Sequence, residues 1–171
     1  MDAAGLRAMQ APIKDKYKTD AKAAFITLKA KGSIDEQNIS CKVETGRALA
    51  VAGLHPATGG SGMELCSGDM LLEALVACAG VTLKAVSTAL DIPLKSGQVS
   101  AEGDLDFRGT LGVDKTAPVG FAEIRLRFDV ATDEPQEKLD QLLKLTERYC
   151  VVYQTLRGGA AVDVSLKRVA A

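Results

Sequence analysis

The sequence predicts an α+β fold, and three observations carry that reading. Residues 69–91, DMLLEALVACAGVTLKAVSTALD, are apolar over a length of about six helical turns. Residues 98–107 and 120–130 alternate apolar and polar side chains, as half-buried antiparallel strands do. Residues 136–147 place Leu139, Leu142 and Leu143 at helical spacing behind a Pro135 start signal. Strands, a central helix, strands, a second helix and a last strand make an α+β order.

The elements follow in chain order. Residues 1–22 carry the charge run Lys14, Asp15, Lys16 and Lys18. They read as an N-terminal arm ahead of a domain over 23–171: either a mobile terminus, or a segment with a helical turn that packs on a partner subunit. Residues 23–30, AAFITLKA, have strand content and end at Lys31-Gly32. Residues 39–43 begin a second strand, which carries Cys41. Residues 48–53 are short and apolar and lead into the loop 53–62, whose GGSG lacks the Gly-Lys-Ser/Thr of a phosphate loop and reads as a hinge.

The helix over 69–91 takes Ser67 or Asp69 as its cap and stops before Pro93. Glu73 and Lys84 are its only long charged side chains, so it belongs at the centre of the protein, and it carries Cys78. The loop 109–118 holds the turn residues Gly112 and Asp114. After the second helix comes YCVVYQTL, then the break Gly158-Gly159, then residues 161–169, AVDVSLKRV, as a closing alternating strand.

Composition narrows the function. A chain of 171 residues, 47% hydrophobic and 25% charged, is one ordinary globular domain. A net charge of -1 excludes a dedicated nucleic-acid binder, which needs clustered positive charge, and 4% aromatic content without Trp excludes a base-stacking platform. No apolar run reaches the roughly 18 residues of a membrane span. The first residues lack the apolar core of a secretory signal, so a cytoplasmic location is expected.

Four cysteines, Cys41, Cys66, Cys78 and Cys150, occur without a CxxC, and His55 is the single histidine. No metal and no cofactor is expected from such a set, and a reduced compartment makes any disulfide transient and redox-active. His55, in the loop GLHPATGGSG, reads as a solvent-exposed residue. Cys41 reads as a packed strand residue, and Cys66 sits just ahead of the long helix. On that helix Cys78 lies about 180° around from Asp69 and about 140° from Glu73, so neither carboxylate touches it. An activating group must come from another element, such as Arg148, or from a second subunit.

GDMLLEALVACAGVTL, residues 68–83, and ERYCVVYQTL, residues 147–156, resemble the two cysteine motifs of the OsmC/Ohr family, approximately PxELLLAALAAC and EYCPVxxTL. The family comprises the osmotically inducible protein C and organic hydroperoxide resistance proteins. The resemblance runs from about residue 23 onward. It implies an OsmC-like fold, in which central apolar helices are wrapped by antiparallel sheets of an intertwined homodimer. It also implies thiol-dependent reduction of organic hydroperoxides, with Cys78 as the peroxidatic thiol and Cys150 as the resolving one. A dithiol such as a lipoyl protein would then reduce their disulfide. Asp69 stands where the family usually has Glu, and Val151 where Pro commonly follows the second cysteine. The family's activating Arg has no counterpart on the N-terminal strand, where Lys29 and Lys31 are the nearest cations; Arg47 and Arg148 are the other sources. The alternative reading is a non-catalytic OsmC-like dimer that binds a small apolar ligand, its cysteines merely packed. A structural or regulatory partner protein has no positive support in the sequence.

Overall fold

The computed structural model describes residues 3–34, 41–43, 52–63 and 65–168. The N-terminal segment is helix α1 (Ala3–Thr19), longer than the single turn considered from sequence. Its Tyr17 is buried with Ala24, Phe107 and Leu111, and its hydroxyl donates to the Ala57 carbonyl at 2.8 Å. The arm thus packs on its own chain. Asp20 ends it, accepting from the N–H groups of Lys22 and Ala23.

A four-stranded antiparallel sheet follows, built from β1 (Phe25–Ile34), β2 (Cys41–Val43), β5 (Ser96–Asp106) and β6 (Phe121–Ala131) in the order β2-β1-β5-β6. β1 runs past the Lys31-Gly32 stop read from sequence, because Gly32 pairs with Val99 and Ser33 with Gln98 across the ladder. Along β5, Val99, Ala101 and Gly103 are buried, alternating with Ser100, Glu102 and Asp104 on the other face. Gly103 has a steric reason: a Cβ there would sit 2.5 Å from the Phe121 ring. β3 (Ala52–Gly53) and β4 (Leu65–Cys66) pair in a short parallel ladder just before the long helix. Residues 48–51 of the expected short strand lie outside the described residues.

Helix α2 (Ser67–Ala89) lies on the buried face of the sheet. Leu72, Leu75, Val76 and Ala79 form one core with Val99, Ala101 and Cys150. The N-cap position belongs to Cys66, without a side-chain cap bond, rather than to Ser67 or Asp69. Length and composition alone would let α2 cross a membrane, but its buried half packs as a core helix. It is apolar on every side without being buried on every side. Leu71, Ala74, Val81 and Thr88 are exposed and Cys78 and Ala85 half-buried along one stripe.

The short helix α3 (Phe107–Thr110) follows β5, capped by the buried Asp106 carboxylate, which Arg108 also binds. Helix α4 (Gln136–Tyr149) packs Leu142 against Leu83, Val86 and Ile92. It gives way at Cys150 to α5 (Val151–Gly158). Of the strand expected over 161–169, residue 169 lies outside the described residues, and residues 161–168 pair with nothing among them.

Candidate thiol site

Two helices meet at the sulfur pair. α4 stops because Cys150 adopts an extended backbone, with ψ at 107°, while its N–H still closes the last turn on Thr146. A helix that restarts immediately has its first N–H groups unpaired. In α5 sulfur takes them up. The Cys150 Sγ accepts from the Tyr153 N–H at 3.5 Å, and the N–H groups of Val152 and Val151 reach the Cys78 sulfur. Gln154 Nε2 donates to the Glu147 carbonyl at 2.6 Å and ties the two helices across the break. Cys78 arrives from α2, where Thr82 stands one turn on and turns its hydroxyl to the same sulfur.

The two thiols therefore have different acidities. Burial disfavours the Cys78 thiolate, but the Val152 N–H, the Cys150 thiol, the Val151 N–H and the Thr82 hydroxyl outweigh it and hold its pKa below the ordinary value. Burial pushes the Cys150 thiol up to about 11, and its bond to the Cys78 sulfur adds to the rise. The arrangement is a thiolate acceptor beside a thiol donor, set on a helix N-terminus. Cys150 is 1% exposed, and Cys78 keeps partial access.

Among the described residues, none of the groups acting on Cys78 is a lysine or arginine. Arg148, expected as one source of activating charge, is exposed on α4. Lys29 and Lys31 sit in register with Glu102 and Ser100, which alternate with the β5 residues buried under α2. Arg47 lies outside the described residues, and Cys41 falls on β2. Among the described residues, backbone N–H groups, the Cys150 thiol and the Thr82 hydroxyl are what lower the Cys78 pKa.

Asp69 occupies the first turn of α2, away from the sulfur pair, with His55 and Glu73 as its electrostatic neighbours. Burial raises its pKa and His55 opposes that rise. His55 is not the solvated loop residue expected from its sequence context. It is half-buried, stacks on Phe107 with ring centroids 4.9 Å apart, and accepts the Ala57 N–H on Nδ1 at 3.0 Å. The cause is the turn Pro56–Thr58, which His55 caps. Among the described residues no three His, Cys, Asp or Glu side chains are grouped to hold a metal.

Phe121 lies between two apolar grooves. One, of about 410 Å³, includes His55, Cys66, Leu71 and Phe107 in its walls at the start of α2. The other, of about 470 Å³, is bordered by Leu75, Leu126, Tyr153 and Leu156. Tyr153, Leu156 and Phe121 pack on the same core cluster as Cys78 and Cys150.

A family model described as OsmC-like protein matches residues 59–165. No curated protein matches the chain. The fold is similar to the crystal structure of an OsmC-like hydroperoxide resistance protein from Jannaschia sp. CCS1, with a TM-score of 0.55 and 16% identity. That similarity covers 82% of this chain and 91% of the other.

Proposed function

Because the chain belongs to the OsmC-like protein family, we propose that it reduces organic hydroperoxides with Cys78 as the attacking thiolate and Cys150 as the resolving thiol. The observation that carries this reading is the pair of α5 N–H groups on a sulfur whose neighbour is a thiol held at about 11. The hydroperoxide resistance function named for the similar structure points the same way.

The Cys78 thiolate attacks the outer oxygen of a hydroperoxide, forming an S–O bond as the O–O bond breaks. The alkoxide leaves and takes a proton, for which the adjacent Cys150 thiol is the nearest donor, and departs as an alcohol. Cys78 is now a sulfenic acid. Cys150, left as a thiolate by that proton transfer, attacks the Cys78 sulfur. The S–O bond breaks, hydroxide leaves and takes a proton from solvent to become water, and a disulfide remains. An external dithiol, such as a lipoyl group on a carrier protein, returns both cysteines to thiols. The apolar groove beside Tyr153 and Leu156 favours alkyl over hydrogen peroxide. In this reading Asp69 positions the loop 53–62 through His55 and does not touch the sulfur. The protein acts in the cytoplasm.

The same reading includes a homodimer. Leu71, Ala74, Cys78, Val81, Ala85 and Thr88 recur at spacings of 3 and 4, the seam pattern of paired helices, and α2 leaves that stripe open. A second copy of α2 fits it.

Consumption of an alkyl hydroperoxide with dihydrolipoamide as the reductant tests the proposal. Turnover by the wild-type protein and none by Cys78→Ser is expected. A wild-type protein that leaves the hydroperoxide intact, or a Cys78→Ser variant that still turns over, overturns it.

A further inference from the structure

The break between α4 and α5 leaves one carbonyl with an unusual partner. In a helix running on through Cys150, the Val151 N–H would bond to the Glu147 carbonyl, four residues back. Here the Val151 N–H goes to the Cys78 sulfur instead. The Glu147 carbonyl is still satisfied, because Gln154 Nε2 donates to it at 2.6 Å.

The break needs such a device. α5 has eight residues and buries none of them fully, with Val152, Tyr153 and Leu156 half-buried on the core. A helix that short is marginal by itself, and merging with α4 would extend an existing helix without a new nucleus. A proline at position 151 would forbid the merger, since its ring meets the carbonyl four residues back and turns the preceding residue away from the helical region. Val151 stands there and forbids nothing.

We infer that Gln154 is a positioning residue: by taking the Glu147 carbonyl with its side-chain amide, it keeps the Val151 N–H free for the Cys78 sulfur. The amide replaces the N–H that has turned to the sulfur, so reclaiming Val151 would satisfy no further carbonyl. The Gln154 backbone N–H meanwhile bonds to the Cys150 carbonyl at 2.9 Å, which fixes the residue one turn into α5 and within reach of Glu147. In the resembling motif EYCPVxxTL this position is an open x. The proline of that motif does by covalent geometry what Gln154 does here by a hydrogen bond. The inference rests on the reading of Cys78 as the attacking thiolate. Among the described residues, Cys150 is the titratable group that acts on it.

Gln154→Met keeps the length and the helix propensity of the side chain and removes the donor. The Cys78 midpoint for alkylation by iodoacetamide should rise by about half a pH unit or more, as a hydrogen bond to the charged sulfur weakens or is lost. Gln154→Asn, one methylene shorter, falls short of the carbonyl and should give the same rise. In a Val151→Pro background no N–H can return to Glu147, so Gln154→Met should shift the midpoint no further. An unchanged midpoint in Gln154→Met overturns the inference, even if the melting temperature falls. So does a wild-type midpoint in Gln154→Asn, or an equal added rise in the proline background. Alkylation needs no hydroperoxide, which keeps the two readings apart. A wild-type protein that turns over beside an unshifted Gln154→Met midpoint overturns this inference alone. A shifted midpoint in a protein that leaves the hydroperoxide intact upholds it and overturns the peroxidase reading.

Discussion

Two helices of this protein begin at a cysteine, and they treat it differently. Cys66 precedes the 23 residues of α2 and makes no side-chain cap bond, with Asp69 in the first turn near His55. Cys150 precedes the 8 residues of α5, accepts from Tyr153, and delivers the next N–H groups to Cys78. The longer helix has the larger dipole, yet the thiolate is stabilised at the shorter one. Helix ends act on a thiol through N–H groups aimed at its sulfur, and such effects fade within a turn.

Replacing Cys150 tests the working end most severely. Cys150→Ser removes the resolving sulfur, so consumption should stop after about one equivalent of hydroperoxide per chain, leaving a sulfenic acid that a dimedone probe traps. Continued turnover at the wild-type rate would assign resolution to another thiol.

Val151→Pro is sharper, because proline fits the first turn of a helix and removes only the N–H. A hydrogen bond to a charged group is worth about 1.5–3 kcal/mol, so the Cys78 alkylation midpoint should rise by about one pH unit or more. An unchanged midpoint would mean the Val151 N–H contributes nothing. Thr82→Val should move the same midpoint upward by less, about half a unit, since the hydroxyl is one of four donors.

At the other end the smallest effect is expected. Cys66→Ser should leave turnover within about twofold and add up to about 1 kcal/mol of stability, as serine caps a helix better than an uncapped start. Thermal unfolding together with the consumption assay reads both. A loss of turnover there would erase the contrast between the two helix starts.

What was legible in the sequence follows the same division. The apolar run of α2, the alternation of β5 and β6 and the leucine spacing of α4 are local patterns, and each element is present. The extent of β1 was not legible, because its pairing with β5 decides whether Gly32 ends the strand. The 161–169 alternation announces a strand, but residues 161–168 pair with nothing among the described residues. At the site, the two cysteine motifs drew attention to Cys78 and Cys150, and Thr82 was within reach as the residue four positions after Cys78. The donors from Val151 and Val152 were hidden. A backbone N–H has no residue signature, and only the break at Cys150 frees these two.

The pH dependence of alkylation, followed at each cysteine by peptide mass spectrometry, tests the central claim most directly. Cys78 has a lowered pKa and Cys150 one of about 11, so ionisation with rising pH must reach Cys78 first. The expected result is a Cys78 midpoint below the free-thiol value of about 8.5, with Cys150 unmodified until far more alkaline solution. A Cys78 midpoint at or above about 8.5, or Cys150 reacting first, would contradict the account.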